Sequence, residues 1–202
     1  MAAPVPVHAE AVPQRPDLVR WAVPAGLLCF VGVPERVPPA LARLMPSVIA
    51  SVEVVPAGVL LALADGPTWA EQGDGVRVAL QEALADVEGW APPAGVGEEQ
   101  AADDLLAASA RQVLAGEVGG YARSHGGSLD LVLAHDGRVE VALRGTCHGC
   151  PAAGHTHEQR VLTALRALVP DVREVVSAGP AAPDTPSAAR GRRLLPLRVR
   201  RG

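Results

Sequence analysis

Hydrophobic and polar positions along the first half of the chain follow patterns that predict a small α/β unit. Apolar runs at residues 48–55 and 59–63 have the length and the Val and Leu content of β-strands. Residues 56–58, Pro-Ala-Gly, separate the two runs and predict a turn between them. Thr68 precedes apolar positions at helical spacing, so a helix is expected from there to about Val87.

Upstream of these strands the pattern is weaker. Residues 1–16 are rich in Pro and have no period, so they are predicted to be irregular. Short apolar runs at residues 18–23 and 27–32 predict a hairpin, and residues 37–45 predict a short helix that Pro46 ends.

A second periodic region follows residues 91–102, whose Pro and Gly content is typical of a linker. Its predicted elements occur in a defined order: a helix ending near Tyr121, strands at 128–134 and 138–144, a helix at 156–168 and a strand at 172–176. His135-Asp136-Gly137 predicts the turn of a hairpin between the first two strands.

The predicted fold class is therefore α/β (α+β) with two small domains. Residues 1–90 are expected to form the first domain and 91–102 the linker. Residues 103–178 form the second domain, with the order helix, hairpin, C-x-x-C loop, helix and strand. Residues 179–202, rich in Pro, Ala and Arg, are expected to be a disordered tail.

Composition and charge narrow the functional classes. Hydrophobic residues make up 49% of the chain and aromatic residues only 2%, so base-stacking surfaces are scarce and nucleic-acid binding is not expected. The net charge of −4 is uneven, because six arginines crowd the end of the chain: Arg190, Arg192, Arg193, Arg198, Arg200 and Arg201. This tail is a candidate for docking to an acidic partner, although a solvated end is the simpler interpretation.

No sequence motif indicates a catalytic residue. There is no Ser-His-Asp spacing, Walker loop or carboxylate pair that indicates an enzyme. We also expect no secretion signal and no membrane span. Three cysteines do not make a disulfide framework in a chain of this size, so a reducing cytoplasm is the expected location.

The strongest chemical signal is the pair Cys147 and Cys150, which lies between a predicted strand and a predicted helix. Free backbone N–H groups and a helix N-terminus at such a junction favour thiolate over thiol. Gly145 and Gly149 flank the pair and allow the backbone to fold closely around a group that the sulfurs hold. His148 lies between the cysteines, and we expect it to be exposed.

Three chemistries other than an iron–sulfur cluster are considered for this pair. A dithiol oxidoreductase would use Cys147 as nucleophile, but that motif belongs near a βαβ unit, whereas a hairpin precedes the cysteines here. A structural zinc-binding interaction module would need two more ligands, and His155 and His157 are spaced too tightly for the usual finger. A c-type haem would need His directly after Cys150, where Pro151 stands.

Iron–sulfur clusters commonly take four cysteine thiolates, of which this loop supplies two. Cys29 lies alone in a predicted strand and is interpreted as a core residue. A second copy of the loop across a two-fold axis would complete the set, which predicts a cluster shared at a homodimer interface.

The second domain resembles the carboxy-terminal domain of the NifU-like (Nfu) family. The resemblance rests on residues 119–131, which begin with a Gly-Gly pair, on the strand at 139–143 and on the G-x-C-x-x-C-P loop at 145–151. It covers roughly residues 103–178. It implies a domain that binds a labile cluster, commonly [4Fe-4S], through Cys147 and Cys150 of two subunits. Such a protein receives the cluster from upstream assembly proteins and delivers it to apo-proteins.

The first region resembles, more loosely, the amino-terminal Nfu domain. The residues that carry this likeness are 16–21, 41–44 and Trp69. A partner-binding or regulatory role for the first domain is the corresponding hypothesis.

Overall fold

The structure is a computed structural model that describes residues 4–145 and 151–178. Helices and sheets both contribute, which confirms the α+β class. They form two groups along the chain, each with its own sheet and its own buried cluster of Leu, Val and Ala side chains. Among the described residues, no helix combines the length and apolar character needed to cross a membrane.

The first group is a four-stranded antiparallel sheet with the order β1-β2-β4-β3. Its elements are β1 (His8–Ala11), β2 (Leu18–Ala22), α1 (Pro39–Ala42), β3 (Ile49–Val55), β4 (Gly58–Leu63), α2 (Trp69–Ala85) and a 3-10 turn at Val87–Gly89. The hairpin of β3 and β4 and the helix α2 confirm the sequence prediction.

Helix α2 begins where the sequence predicts. The hydroxyl of Thr68 donates to the Glu71 carboxylate at 2.9 Å, and the Thr68 backbone N–H donates to the same oxygen at 3.3 Å. The second of these bonds satisfies the backbone N–H of Thr68, the residue that precedes the first turn of the helix and has no partner within it. Val76, Leu80 and Leu84 recur at four-residue spacing and are fully buried, so this face anchors α2 to the sheet.

The hairpin predicted upstream is wrong. Residues 27–32 form a loop, and β2 pairs instead with β1 and β4. Leu28 and Phe30 are buried in the core of the first group, as alternate positions of a strand would be. Among the described residues, however, the backbone of this loop pairs with the sheet at one position, where Gly32 exchanges hydrogen bonds with Val54. Strand β1 was missed because all four of its residues are exposed, so no apolar alternation marks it.

The region predicted as a linker is ordered against the first group. The Ala91 N–H donates to the Arg36 carbonyl at 3.0 Å, and Val96 packs on the first core. Helix α3 (Glu98–Ala115) then begins inside the predicted linker, and its Ala101 is buried in the first core. The boundary at 91–102 stays a prediction.

The second group contains α3, α4 (Glu117–Ser124), β5 (Gly127–His135), β6 (Arg138–Gly145), α5 (Pro151–Arg166) and β7 (Glu174–Ser177). Its sheet has the order β5-β6-β7, with β5 and β6 antiparallel and β6 and β7 parallel. The helices pack on the sheet face that carries four buried side chains: Leu129, Val139, Val141 and Val175. The predicted hairpin and the order of elements are confirmed. The predicted tail at 179–202 lies outside the described residues.

The single helix predicted up to Tyr121 is two helices in the structure. The helical backbone is interrupted at Gly116, and α4 folds back over the end of α3. Gly119 is buried at the crossing, where a Cβ atom would collide with the backbone carbonyl of Leu114. The Arg123 guanidinium donates to the carbonyls of Leu114 and Ala115 at 3.4 and 3.2 Å and so caps the end of α3. The close approach of the two helices explains the first glycine of the Gly-Gly pair.

We expect Gly119→Ala and Gly120→Ala to have opposite effects on stability. The first forces backbone apart and should cost about 1–3 kcal/mol of unfolding free energy. The second meets only the end of the Arg123 side chain, at 3.8 Å, and should be neutral or stabilise by up to about 1 kcal/mol through helix propensity. Urea unfolding followed by circular dichroism checks both variants. Equal midpoints would contradict the role assigned to the helix crossing.

Candidate functional site

The candidate site is the segment 146–150, which joins the end of β6 to the start of α5. Cys147, His148, Gly149 and Cys150 lie outside the described residues, so their assignment stays a prediction. The two flanking elements are described, and covalent connectivity places both cysteines between them.

On the strand side, the backbone leaves β6 through a tight glycine contact. Gly145 has φ +65° and pairs with Gly127 on β5. A Cβ on Gly145 would collide with the carbonyl oxygen of Gly126 and would lie 3.1 Å from Gly127 Cα. Only glycine fits both the left-handed conformation and this approach. This contact fixes the backbone at Gly145, the residue from which the cysteine segment departs. The supporting role of Gly145 stays a prediction.

On the helix side, α5 begins at Pro151, directly after Cys150. The predicted start at Thr156 is five residues late, because the intervening small residues carry no apolar period. Proline is suited to a first helical position, since the N–H that it lacks has no partner there. The N-terminus of this 16-residue helix is thus adjacent to Cys150, where its partial positive charge favours a thiolate and any anionic group that the thiolate binds.

Aromatic side chains and one arginine lie close together where α4 packs beside α5. The Tyr121 ring lies 4.7 Å from the His125 ring and 6.2 Å from the His157 ring, between centroids. The Arg160 guanidinium sits 4.0 Å above the Tyr121 centroid. His125 directly precedes Gly126, the residue that contacts Gly145. This cluster, in which Arg160 carries the positive charge, therefore borders Gly145, the last described residue before the cysteine segment. No sequence pattern marks this cluster, because its members come from two helices that only packing brings together.

His157, considered from the sequence only as a possible zinc ligand, is buried, and only 5% of this residue is accessible. Burial lowers the pKa of His157 from its ordinary value of 6.5, and the charges of Arg160 and His125 lower it further. His157 is therefore held in its neutral form at neutral pH. The side chains of His148 and His155 are not described.

A second histidine has the opposite shift. His135 Nδ1 lies 2.6 Å from an Asp103 carboxylate oxygen, and this hydrogen bond, with the charge of Asp103, raises the pKa of His135. The other Asp103 oxygen accepts the Asp136 N–H at 2.8 Å. Asp103 thereby ties the β5–β6 turn to α3.

We expect the two histidines to give opposite slopes of stability against pH. The lowered pKa of His157 means that the unfolded chain binds more protons, so its contribution is present above about pH 6.5 and is lost as pH falls. The raised pKa of His135 means that its contribution is present below about pH 6.5 and is lost as pH rises.

Urea midpoints measured from pH 5 to 8 test both signs. His157→Gln should flatten the profile on the acid side, and His135→Gln on the alkaline side. A His157→Gln profile parallel to the wild type would show that this histidine does not titrate differently in the folded state.

The interpretation of Cys29 as a core residue is wrong. Cys29 is exposed in the loop at 27–32 and borders the same cavity as His135, at the turn of the β5–β6 hairpin. The cysteine segment starts from the other end of that hairpin. Strand β5 runs from Gly127 to His135, which at 3.3 Å per residue separates the two ends by roughly 26 Å. The length of β5 thus separates Cys29 from the end of the hairpin where the cysteine segment begins, so Cys29 is not expected to complete a ligand set with Cys147 and Cys150 of its own chain.

The topology removes one argument made from the sequence. A hairpin does precede the cysteines, but β6, α5 and β7 also form a βαβ unit with parallel strands. The cysteine segment occupies the strand-to-helix junction of that unit, as in dithiol oxidoreductases. Strand topology alone therefore does not separate cluster binding from dithiol chemistry. Within the described residues, no three His, Cys, Asp or Glu side chains come together in a group able to hold a metal ion.

These features define an α+β domain with a cysteine segment between a strand and a helix N-terminus. Residues 111–176 match the family model of the NifU-like domain. Most of the second group is therefore similar to the NifU-like domain, and this similarity suggests a role with iron–sulfur clusters. The match does not reach the first group, where the resemblance to an amino-terminal Nfu domain stays a prediction. A search of curated proteins found no match to the chain.

Proposed function

We propose that this protein binds a labile [4Fe-4S] cluster through Cys147 and Cys150 at the interface of a homodimer and transfers it to apo-proteins. The observation that carries the proposal is the position of the C-x-x-C segment within the NifU-like domain, between the Gly145 contact and the first turn of α5. The cluster is cargo rather than a catalytic cofactor, so the protein is proposed to act as a carrier and not as an enzyme.

The surroundings of the segment suit an anionic cargo. Thiolates and the cluster that they hold are negatively charged, and the N-terminus of α5 offers free backbone N–H groups and the positive end of a helix dipole. The Arg160 guanidinium above the Tyr121 ring adds positive charge near the same end of the domain. Each of these features favours the thiolate form that iron requires.

The ligand count supports a shared site. One chain supplies two thiolates in this segment, and its third cysteine is held at the far end of the hairpin. A cluster with four thiolate ligands then needs the same segment from a second chain. Ligands divided between two separable chains also offer a route for release to a recipient protein. Upstream assembly proteins and apo-recipients are the partners that this role implies, and the cytoplasm, where thiols stay reduced, is the proposed location.

Anaerobic reconstitution of the full-length protein with iron and sulfide tests the proposal. We expect a broad visible absorption, four iron and four sulfide per two chains, and transfer to an apo-ferredoxin faster than from free iron and sulfide. No absorption together with tightly held zinc would instead identify a structural zinc-binding module and would reject the carrier role.

A dithiol oxidoreductase is the second candidate, favoured by the βαβ position of the cysteines. Cys147 would then attack a substrate disulfide and Cys150 would resolve the mixed disulfide, leaving the enzyme oxidised. Metal-free protein should in that case reduce insulin disulfides with dithiothreitol as electron donor, and Cys147→Ser should abolish the activity. The carrier proposal predicts no rate above that of dithiothreitol alone.

A further inference from the structure

A groove of about 710 Å³ lies between the two groups of elements, away from the cysteine segment. The first group contributes Gly26 and Cys29 to its wall. The second group contributes one face of α3, the turn between β5 and β6, and residues 169–173. An occupant of this groove would therefore touch both halves of the protein.

The groove combines an apolar floor with acidic walls. The floor is lined by six small or aliphatic side chains: Ala102, Leu105, Leu106, Val169, Pro170 and Val172. Two of its acids are neutralised within the groove, since Asp103 pairs with His135 at 2.6 Å and Asp136 with Arg173 at 2.5 Å. Glu99 and Asp171 remain as unbalanced negative charges among the lining residues. Its chemistry suits a ligand with apolar side chains and positive charge.

We propose that this groove binds residues 192–201 of the chain's own carboxy-terminal segment. The sequence there is Arg-Arg-Leu-Leu-Pro-Leu-Arg-Val-Arg-Arg, which combines five arginines with four aliphatic side chains in ten residues. Leucine and valine side chains match the apolar floor, and the arginines match the surplus of negative charge. Arginine is also suited to carboxylates, because its planar group donates two parallel hydrogen bonds.

The intervening chain is long enough for this contact. Arg173 borders the groove, and strand β7 then carries the chain to Ala178, roughly 17 Å further on at 3.3 Å per residue. Residues 179–191 can span up to about 43 Å when extended. This length allows the chain to turn back to the groove from the end of β7. Binding would brace the first group against the NifU-like domain.

Cys29 gives a direct test, because it is exposed and lines the groove. In a full-length Cys147→Ser, Cys150→Ser background, Val199→Cys places a second thiol within the proposed occupant. A short bismaleimide should then join positions 29 and 199 within one chain. Ser187→Cys is the matched control, since this position is nearer along the chain but lies in the spacer. We expect at least tenfold less cross-linking from position 187.

Charge reversal and concentration complete the test. The double variant Glu99→Arg, Asp171→Arg should reduce the 29–199 cross-link about tenfold, as should 0.5 M salt. Glu117→Arg on α4, which does not line the groove, should leave it unchanged. Equal cross-linking from 187 and 199, or no response to the charge reversal, would overturn the proposal. Cross-links found only between chains, rising with protein concentration, would also overturn it and assign the groove to a second copy.

Discussion

Cys147→Ser and Cys150→Ser are each expected to abolish cluster uptake, whereas Cys29→Ser is expected to leave it intact. Each of the first two changes halves the thiolates that a homodimer presents, from four to two, which is too few for a cluster with four thiolate ligands. Cys29 lies beside the turn of the β5–β6 hairpin, and the length of β5, roughly 26 Å, separates that turn from the end where the cysteine segment begins. It is therefore the matched control for loss of a thiol.

Size-exclusion chromatography under nitrogen, with iron and sulfide analysis of each fraction, measures cluster and assembly together. Wild-type protein and Cys29→Ser should shift to a dimer with one cluster per two chains, and chelation should reverse the shift. Neither Cys147→Ser nor Cys150→Ser should shift. A monomer that keeps a complete cluster, or a Cys147→Ser protein that still binds one, would show that the ligands are not shared between chains.

Gly145→Ala is expected to reduce cluster uptake severely, although no cysteine is changed. An alanine at φ +65° is strained, and its Cβ would be driven into the Gly126 carbonyl. These two costs together amount to about 2–4 kcal/mol. The collision is with the backbone of Gly126 and Gly127 and not with a movable side chain, so it is relieved only if β6 separates from β5 at the residue from which the cysteine segment departs. The direction of that segment, and with it the spacing of the thiolates, should change.

Gly137→Ala is the matched control for Gly145→Ala. Gly137 also has a positive φ, +68°, and precedes the other end of β6, at the turn far from the cysteines. A Cβ there would meet Arg173, with the nearest atom at 3.0 Å, and that flexible side chain can move. We expect a similar backbone penalty in urea unfolding but normal iron and sulfide content after reconstitution. Equal loss of cluster in both variants would mean that general destabilisation, and not the geometry beside the cysteines, explains the effect.

The elements predicted correctly are those in which the apolar residues of the sequence are also the buried residues of the structure. Strands β3 and β4 and the face of α2 that carries Val76, Leu80 and Leu84 are examples, since the period of buried positions equals the period of the element. Where the prediction failed, the pattern and the pairing disagree. Strand β1 is exposed throughout and is held by pairing with β2, while residues 27–32 alternate like a strand but pair at only one residue.

Some features of the candidate site could be predicted from the sequence, and others depend on the fold. The C-x-x-C motif and its glycines are local features of the sequence, so they indicate thiolate chemistry and a NifU-like domain before any fold is known. The start of α5 at Pro151 is less evident, because the first residues of that helix carry no apolar face. The cluster of Tyr121, His157 and Arg160 could not be predicted, since it requires α4 to fold back beside α5.

The sequence by itself therefore determined the fold class and the order of elements in the second half, and it supplied the prediction that Cys147 and Cys150 bind iron. These depend on side-chain chemistry and on short-range periodicity, which neighbouring residues specify. Only the tertiary structure decided that β6 and β7 are parallel, that Cys29 faces a groove at the far end of the hairpin, and that His157 is buried. Each of these depends on contacts between segments distant in the chain, where packing and hydrogen bonding select one arrangement among several that the local pattern allows.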